Sequence, residues 1–141
     1  DPGIFSTNAS DNTIKYLREA ELQHGRVAMM SFIALAGLDI LRDDLAIDAL
    51  SKMPLDEQVP YWLGVGLYEF ARMGAGWRNP FVEKGTYFKL EDTYQPGNVL
   101  KMNAADIPDR KYNVELSNGR LAMLACLGYM AEEFVTRVPI F

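Results

Sequence analysis

Glu21-Leu22-Gln23-His24-Gly25-Arg26-Val27-Ala28-Met29 returns 94 residues later as Glu115-Leu116-Ser117-Asn118-Gly119-Arg120-Leu121-Ala122-Met123. Glu, Leu, Gly, Arg, Ala and Met are identical, six positions of nine, while His/Asn and Val/Leu keep the chemical type. Each copy carries a carboxylate, a neutral metal-capable side chain and an arginine, and each leads straight into an apolar stretch. Charges at the head of apolar helices are costly, so a duplicated set of them points to a site.

Three apolar segments stand out: Val27 to Leu41, Tyr61 to Trp77, and Leu121 to Val135. None is a clean run of about 18 uncharged residues, so hydropathy alone does not settle whether they cross a bilayer. Ala, Leu, Met and Gly dominate, and no strand-like alternation is present, which predicts helix in all three. Adding the motif residues gives helices over about 12–41 and 114–136, both longer than a bilayer's hydrocarbon core, and a shorter central one over 60–76. Ser10 or Asp11 can cap the first, and Pro60 suits the first turn of the second. The fold class expected is an all-α membrane protein of three transmembrane helices in one domain, 1–141. Its first and third helices form a crossed pseudo-two-fold pair, with the shorter central helix beside them. Trp62 and Trp77 bracket the central run as interfacial anchors.

The connectors, Arg42 to Gln58 and Arg78 to Asn113, are polar and rich in turn residues. The second is long for a structureless link, so it is expected to wrap a surface or a ligand. Asp1-Pro2-Gly3-Ile4-Phe5 loosely matches Pro96-Gly97-Asn98-Val99-Leu100. The chain begins at Asp1 without a methionine or a basic, apolar leader. It therefore reads as a fragment with any targeting peptide outside it.

The composition excludes several classes. With 141 residues the chain has room for one domain, and its net charge of −5 offers no basic stripe for nucleic acid. A single cysteine, Cys126, gives no disulfide framework and reads as a small buried hydrophobe. A lone histidine, His24, rules out the two-histidine spacing of zinc hydrolases.

On a helix Glu21 and His24 share a face, as do Glu115 and Asn118. Arg26 and Arg120 fall about 140° round from their own glutamates, so each points to a partner helix. The closed solution is a swap, Glu21 with Arg120 and Glu115 with Arg26, with Gly25 and Gly119 allowing close approach. The donors left over are oxygen and nitrogen, which suit a hard ion such as Mg²⁺. They stand singly rather than in a cage, a pattern that fits a metal already held by a macrocycle. Glu132, about four turns beyond Asn118, continues its face. Glu69, three before Arg72, forms a local pair on the central helix with a carboxylate oxygen to spare.

The repeat resembles the first and third transmembrane helices of the light-harvesting chlorophyll-binding family, whose signature is Glu-x-x-His/Asn-Gly/Ser-Arg-x-Ala-Met. The resemblance covers most of the chain. The wording from Arg18 to Met29 is closer to red-lineage antennas, those of red algae, diatoms and their relatives, than to green-plant ones. It implies that Glu21, His24, Glu69, Glu115, Asn118 and Glu132 ligate chlorophyll magnesium, with Arg26, Arg120 and Arg72 as ion-pair partners. Gln58 is a candidate further ligand. It further implies chlorophyll a, with or without an accessory chlorophyll, carotenoids (xanthophylls) in the grooves of the crossed pair, and bound lipid. The implied partners are a photosystem core, photosystem I preferred, and neighbouring antenna subunits; the implied location is the plastid thylakoid membrane. The implied role is harvesting light and passing excitation on, without catalysis. The alternative is a photoprotective, stress-related member that quenches excitation or stores pigment. A soluble di-iron bundle wants Glu-x-x-His on two helices, and Asn118 stands where its second histidine is needed.

Overall fold

The computed structural model describes residues 10–42, 45–79, 81–83, 89–102 and 108–140. It is all-helical: α1 (Asp11–Arg42), a 3₁₀ turn (Ala46–Asp48), α2 (Ala49–Lys52), α3 (Leu55–Gly76) and α4 (Asp109–Thr136). At about 1.5 Å per residue, α1 is about 48 Å long, α4 about 42 Å and α3 about 33 Å. Ser10 caps α1 as expected, its Oγ accepting the Thr13 N–H at 3.4 Å.

Two helices start earlier than the sequence pattern indicates. α3 opens at Leu55 behind Pro54, with Asp56 and Glu57 favourably placed in its first turn. Pro60 therefore lies inside the helix rather than in its first turn. Between Leu55 and Val59 stand three polar residues, Asp56-Glu57-Gln58, so that turn looks like loop until its acidic start and the i,i+4 spacing of Leu55 and Val59 are weighed. α4 likewise opens at Asp109 behind Pro108, five residues ahead of the expected start at Val114. Gln58 donates from Nε2 to the Met53 carbonyl at 2.7 Å, inside α3's first turns.

Polarity is turned inside out. Met30, Leu41, Phe70, Leu124 and Phe134 lie largely exposed, whereas Glu19, Gln23, Asp39 and Glu133 are buried. Large contiguous apolar exposure is foreign to a monomer surrounded by water and normal for one surrounded by hydrocarbon. Among the described residues α1 is the helix long and apolar enough to cross a membrane by composition; internal charges keep α3 and α4 below that mark.

α1 and α4 cross at their glycines. A Cβ built on Gly25 would stand 2.9 Å from the Gly119 Cα, and one on Gly119 equally close to the Gly25 Cα. Cys126, buried as expected, donates its thiol to the Ala28 carbonyl across the same interface at 3.2 Å. α3 stands off from this pair and meets α1 mainly through long polar side chains.

The connector after α3 folds back over the helix heads. Arg78 N–H donates to the Lys89 carbonyl and Glu91 N–H to the Gly76 carbonyl, both at 3.0 Å, forming a one-rung antiparallel bridge of Trp77 with Leu90. Gln95-Pro96-Gly97-Asn98 then closes a type II turn, Asn98 N–H to the Gln95 carbonyl at 3.0 Å, with Gly97 at φ +83°. The wrapping expected of this connector is present in residues 89–102. Its counterpart Asp1–Phe5 lies outside the described residues.

Gly25→Ala is expected to force the helices apart and cost about 1–3 kcal/mol. Gly128→Ala, whose Cβ would meet open space, should leave thermal stability unchanged or raised, because alanine is the better helix former. Circular-dichroism melts in detergent compare the two.

Candidate functional site

The swap is present with the same atoms on both sides. Arg26 Nε donates to Glu115 Oε1 at 2.6 Å, and Arg120 Nε donates to Glu21 Oε1 at 2.6 Å. Each glutamate keeps its second oxygen out of that bond. Arg26 is also covered by the turn at Gly97, where a Cβ would come 3.2 Å from its Nη2 and 2.8 Å from Leu22 Cδ1. Positive φ and close approach together restrict this position to glycine.

His24 lies exposed beside Glu21 on α1, with its Nδ1 2.7 Å from the Ala20 carbonyl. A carbonyl only accepts, so Nδ1 carries a proton; of the two neutral tautomers this is the one that leaves the lone pair on Nε2, the form a metal-binding histidine needs. Asn118 is exposed on the corresponding face of α4, and Glu132 is exposed further along it. Among the described residues no three His, Cys, Asp or Glu side chains gather into a metal-sized cluster. The donors stand one at a time.

Glu69 is held from two sides. Arg72 grips its Oε2 through Nε at 3.0 Å and Nη2 at 2.7 Å, and Gln23 Nε2 donates to its Oε1 at 3.1 Å. Arg72 also reaches Glu19 on α1 at 3.0 Å, stacks its guanidinium 6.0 Å from the Trp77 ring centre, and so ties α3 to α1. Trp77 in turn packs edge-on against Tyr16. Between α1 and α3 lies an open cavity of about 760 Å³, lined among others by His24, Leu35, Tyr61, Glu69 and Met130.

Glu19 had no role in the sequence reading and proves central to the head of the bundle. Its carboxylate is 2% exposed and accepts Arg72, the Gly97 N–H at 2.5 Å and the Tyr94 hydroxyl at 3.3 Å. Burial, with the Glu19 charge second, pushes the Tyr94 phenol up to about 12, so it stays a hydrogen-bond donor at any physiological pH. The signal was only partly in the chain: Glu19 sits two residues before Glu21, but its partners come from 53 to 78 residues away.

A second swap was also missed. Asp39 on α1 accepts the Ile140 N–H at 2.9 Å, beyond the end of α4, and the Tyr129 hydroxyl. Glu133 on α4 accepts the N–H groups of Ala46 at 3.0 Å and Ile47 at 2.9 Å, beyond the end of α1. Both acids are 0% exposed. The same 94-residue offset relates Asp39 to Glu133 and Ala46 to Ile140, so the repeat extends past its visible identity to the far ends of the helices. Of the adjacent glutamates, Glu133 clasps backbone while Glu132 faces outward.

Glu133→Leu would strand two buried N–H groups, at about 1–3 kcal/mol each. Glu133→Gln retains an acceptor oxygen and should recover part of that loss; equal melting of all three proteins would contradict the clasp.

The chain matches the model of the family described as chlorophyll A-B binding protein over residues 1–134. It is 31% identical to light-harvesting complex stress-related protein 3.2, chloroplastic, of Chlamydomonas reinhardtii, over all of this chain and 61% of that protein. It is 33% identical to the fucoxanthin-chlorophyll a-c binding protein, chloroplastic, of Isochrysis galbana, over 96% of this chain and 72% of that protein. The latter agrees with the red-lineage wording of the motif. The chain spans about three fifths of the stress-related relatives it matches. The repeat with its swapped ion pairs, read with these likenesses, places the chain in the chlorophyll a-b binding family.

Proposed function

We propose that the chain is an antenna subunit that spans the thylakoid membrane with α1, α3 and α4. In this reading it holds chlorophyll and carotenoid for a photosystem, photosystem I preferred, beside neighbouring antenna subunits and lipid. The observation that carries the reading is the pair of swapped Glu–Arg bridges, which make two glutamates tolerable in hydrocarbon and leave each with an oxygen for a ligand. Glu21 and Glu115 would each hold a chlorophyll magnesium in this way. Glu69 would do so on α3, with Arg72 as its charge partner. His24 would bind through Nε2, Asn118 through its side-chain amide, and Glu132 through its outward carboxylate.

The donor set fits the group. Magnesium in a macrocycle needs one further hard ligand, and each of these side chains offers an oxygen or nitrogen, with no three His, Cys, Asp or Glu gathered into a cage among the described residues. The cavity between α1 and α3, apolar along most of its wall, supports a pigment there rather than a bare ion. Bound chlorophyll and carotenoid supply absorption and excitation transfer; the chain supplies rigid spacing and exclusion of water. The crossed helices, fixed at Gly25 and Gly119 and clasped at both ends, are suited to hold spacing constant.

The photoprotective reading has one observation in its favour, the 31% identity to proteins named as stress-related. The fairly full set of ligand-type residues, and the comparable likeness to a fucoxanthin-chlorophyll protein, favour harvesting. Fluorescence lifetime of the pigmented protein separates them: a long-lived excited state is expected, and a very short lifetime at every pH would favour quenching. His24→Leu should lose about one chlorophyll per chain and leave the fold standing. Pigment extraction and counting check this, and full retention would remove His24 from the ligand set.

A further inference from the structure

The repeat changes chemical type at one polar position, where Gln23 on α1 corresponds to Ser117 on α4 at the 94-residue offset. The two residues have different fates. Ser117 is exposed and bonds only back to its own helix, its hydroxyl donating to the Val114 carbonyl at 3.0 Å. Gln23 is buried, 8% exposed, and is built into a relay. Its Nε2 donates to Glu69 Oε1 at 3.1 Å, while its Oε1 accepts the Tyr68 hydroxyl at 3.4 Å. Tyr68 and Glu69 are neighbours on α3, so one amide reads two consecutive residues of the facing helix.

The bonds to Glu69 can be counted. An ionised carboxylate offers about four lone-pair directions. Arg72 caps Oε2 with two N–H groups, Nε and Nη2, that arrive from one side, and Gln23 occupies one direction on Oε1. Each oxygen is thus engaged on one side and keeps a further direction open. Arg72 alone would leave Oε1 open in two directions and the carboxylate free to turn about its last torsion. Gln23 removes that choice. Charge points the same way: Arg72 is shared between Glu19 and Glu69, so the three groups together carry one negative charge in excess of the guanidinium, whereas each bridge at the crossing is neutral.

We propose that Gln23 is a positioning residue for pigment at Glu69, its side-chain amide fixing the rotation of the carboxylate and with it the directions left open to a chlorophyll magnesium. This rests on the reading of Glu69 as a ligand. The wider consequence is that the central-helix site is set by α1 as well as by α3, although no ligand atom comes from α1.

The test is pigment content and low-temperature absorption of the refolded, pigmented full chain in four forms: unaltered, Glu69→Leu, Gln23→Leu and the double variant. Glu69→Leu should remove about one chlorophyll and one absorption band. Gln23→Leu should shift or deplete that same band and leave the others alone, and the double variant should match Glu69→Leu. A spectrum of Gln23→Leu identical to that of the unaltered protein would overturn the proposal. So would loss of a further band when Gln23→Leu is added to Glu69→Leu, which would mark Gln23 as general packing. If Glu69→Leu itself kept every chlorophyll, the ligand reading of Glu69 would fall first, a result recognisable without reference to Gln23. Gln23→Glu, equal in shape but without the amide donor, should behave as Gln23→Leu; normal pigment content in that variant would refute a role for the N–H.

Discussion

Two guanidinium groups cross a glycine contact in opposite directions, and the placement of the remaining polar groups follows from that exchange. An arginine five residues after its own glutamate cannot neutralise it on one helix, so each charge is stable only when the other helix is present. The close approach of Gly25 and Gly119 brings the partners within reach. Neither α1 nor α4 is therefore a complete unit. Removing one member of such a pair leaves an ion in a medium of low dielectric, which costs about 3–5 kcal/mol when the group is buried.

The same logic of exchange recurs between the buried acids Asp39 and Glu133. At the far ends of the helices, Asp39 and Glu133 each bind the backbone that follows the other helix. Near the heads, Glu19 gathers α3 and the returning connector onto α1 through Arg72, Tyr94 and Gly97. The interior thus combines a small apolar core, Leu22, Leu90, Leu116 and Cys126 among it, with directional polar contacts, while many large apolar side chains face out, the arrangement suited to hydrocarbon surroundings. α3 is the element least embedded by packing. Its position relative to α1 depends on Gln23, Glu69 and Arg72, the same groups that would define its pigment site.

How much of this was legible in the sequence varied with sequence distance. The crossed pair, its partners and its glycine contact followed from one duplicated phrase, because helix geometry converts a five-residue spacing into a direction. The starts of α3 and α4 were harder, since Asp56-Glu57-Gln58 and Asp109–Asn113 are largely polar and their place in a helix is marked by acidic first-turn residues behind Pro54 and Pro108 more than by a long apolar period. Asp39 and Glu133 sit in register with the repeat, yet without identity they look like an interruption and a helix end. Glu19 and Gln23 were written inside or next to the motif. Their partners lie 45 to 78 residues away on α3 and the connector, a distance that no local pattern spans.

The central claim is that each bridge does two jobs, neutralising a glutamate and presenting it to a pigment. Chlorophyll content per folded chain of the paired variant Glu21→Leu with Arg120→Leu, set against Arg120→Leu alone, tests both at once. Removing the pair together leaves no orphan charge, so the double variant should fold with about one chlorophyll fewer, while the single variant fails to accumulate as pigmented protein. A double variant that folds with its full pigment complement, or a single variant that folds as well as the unaltered chain, would contradict the account.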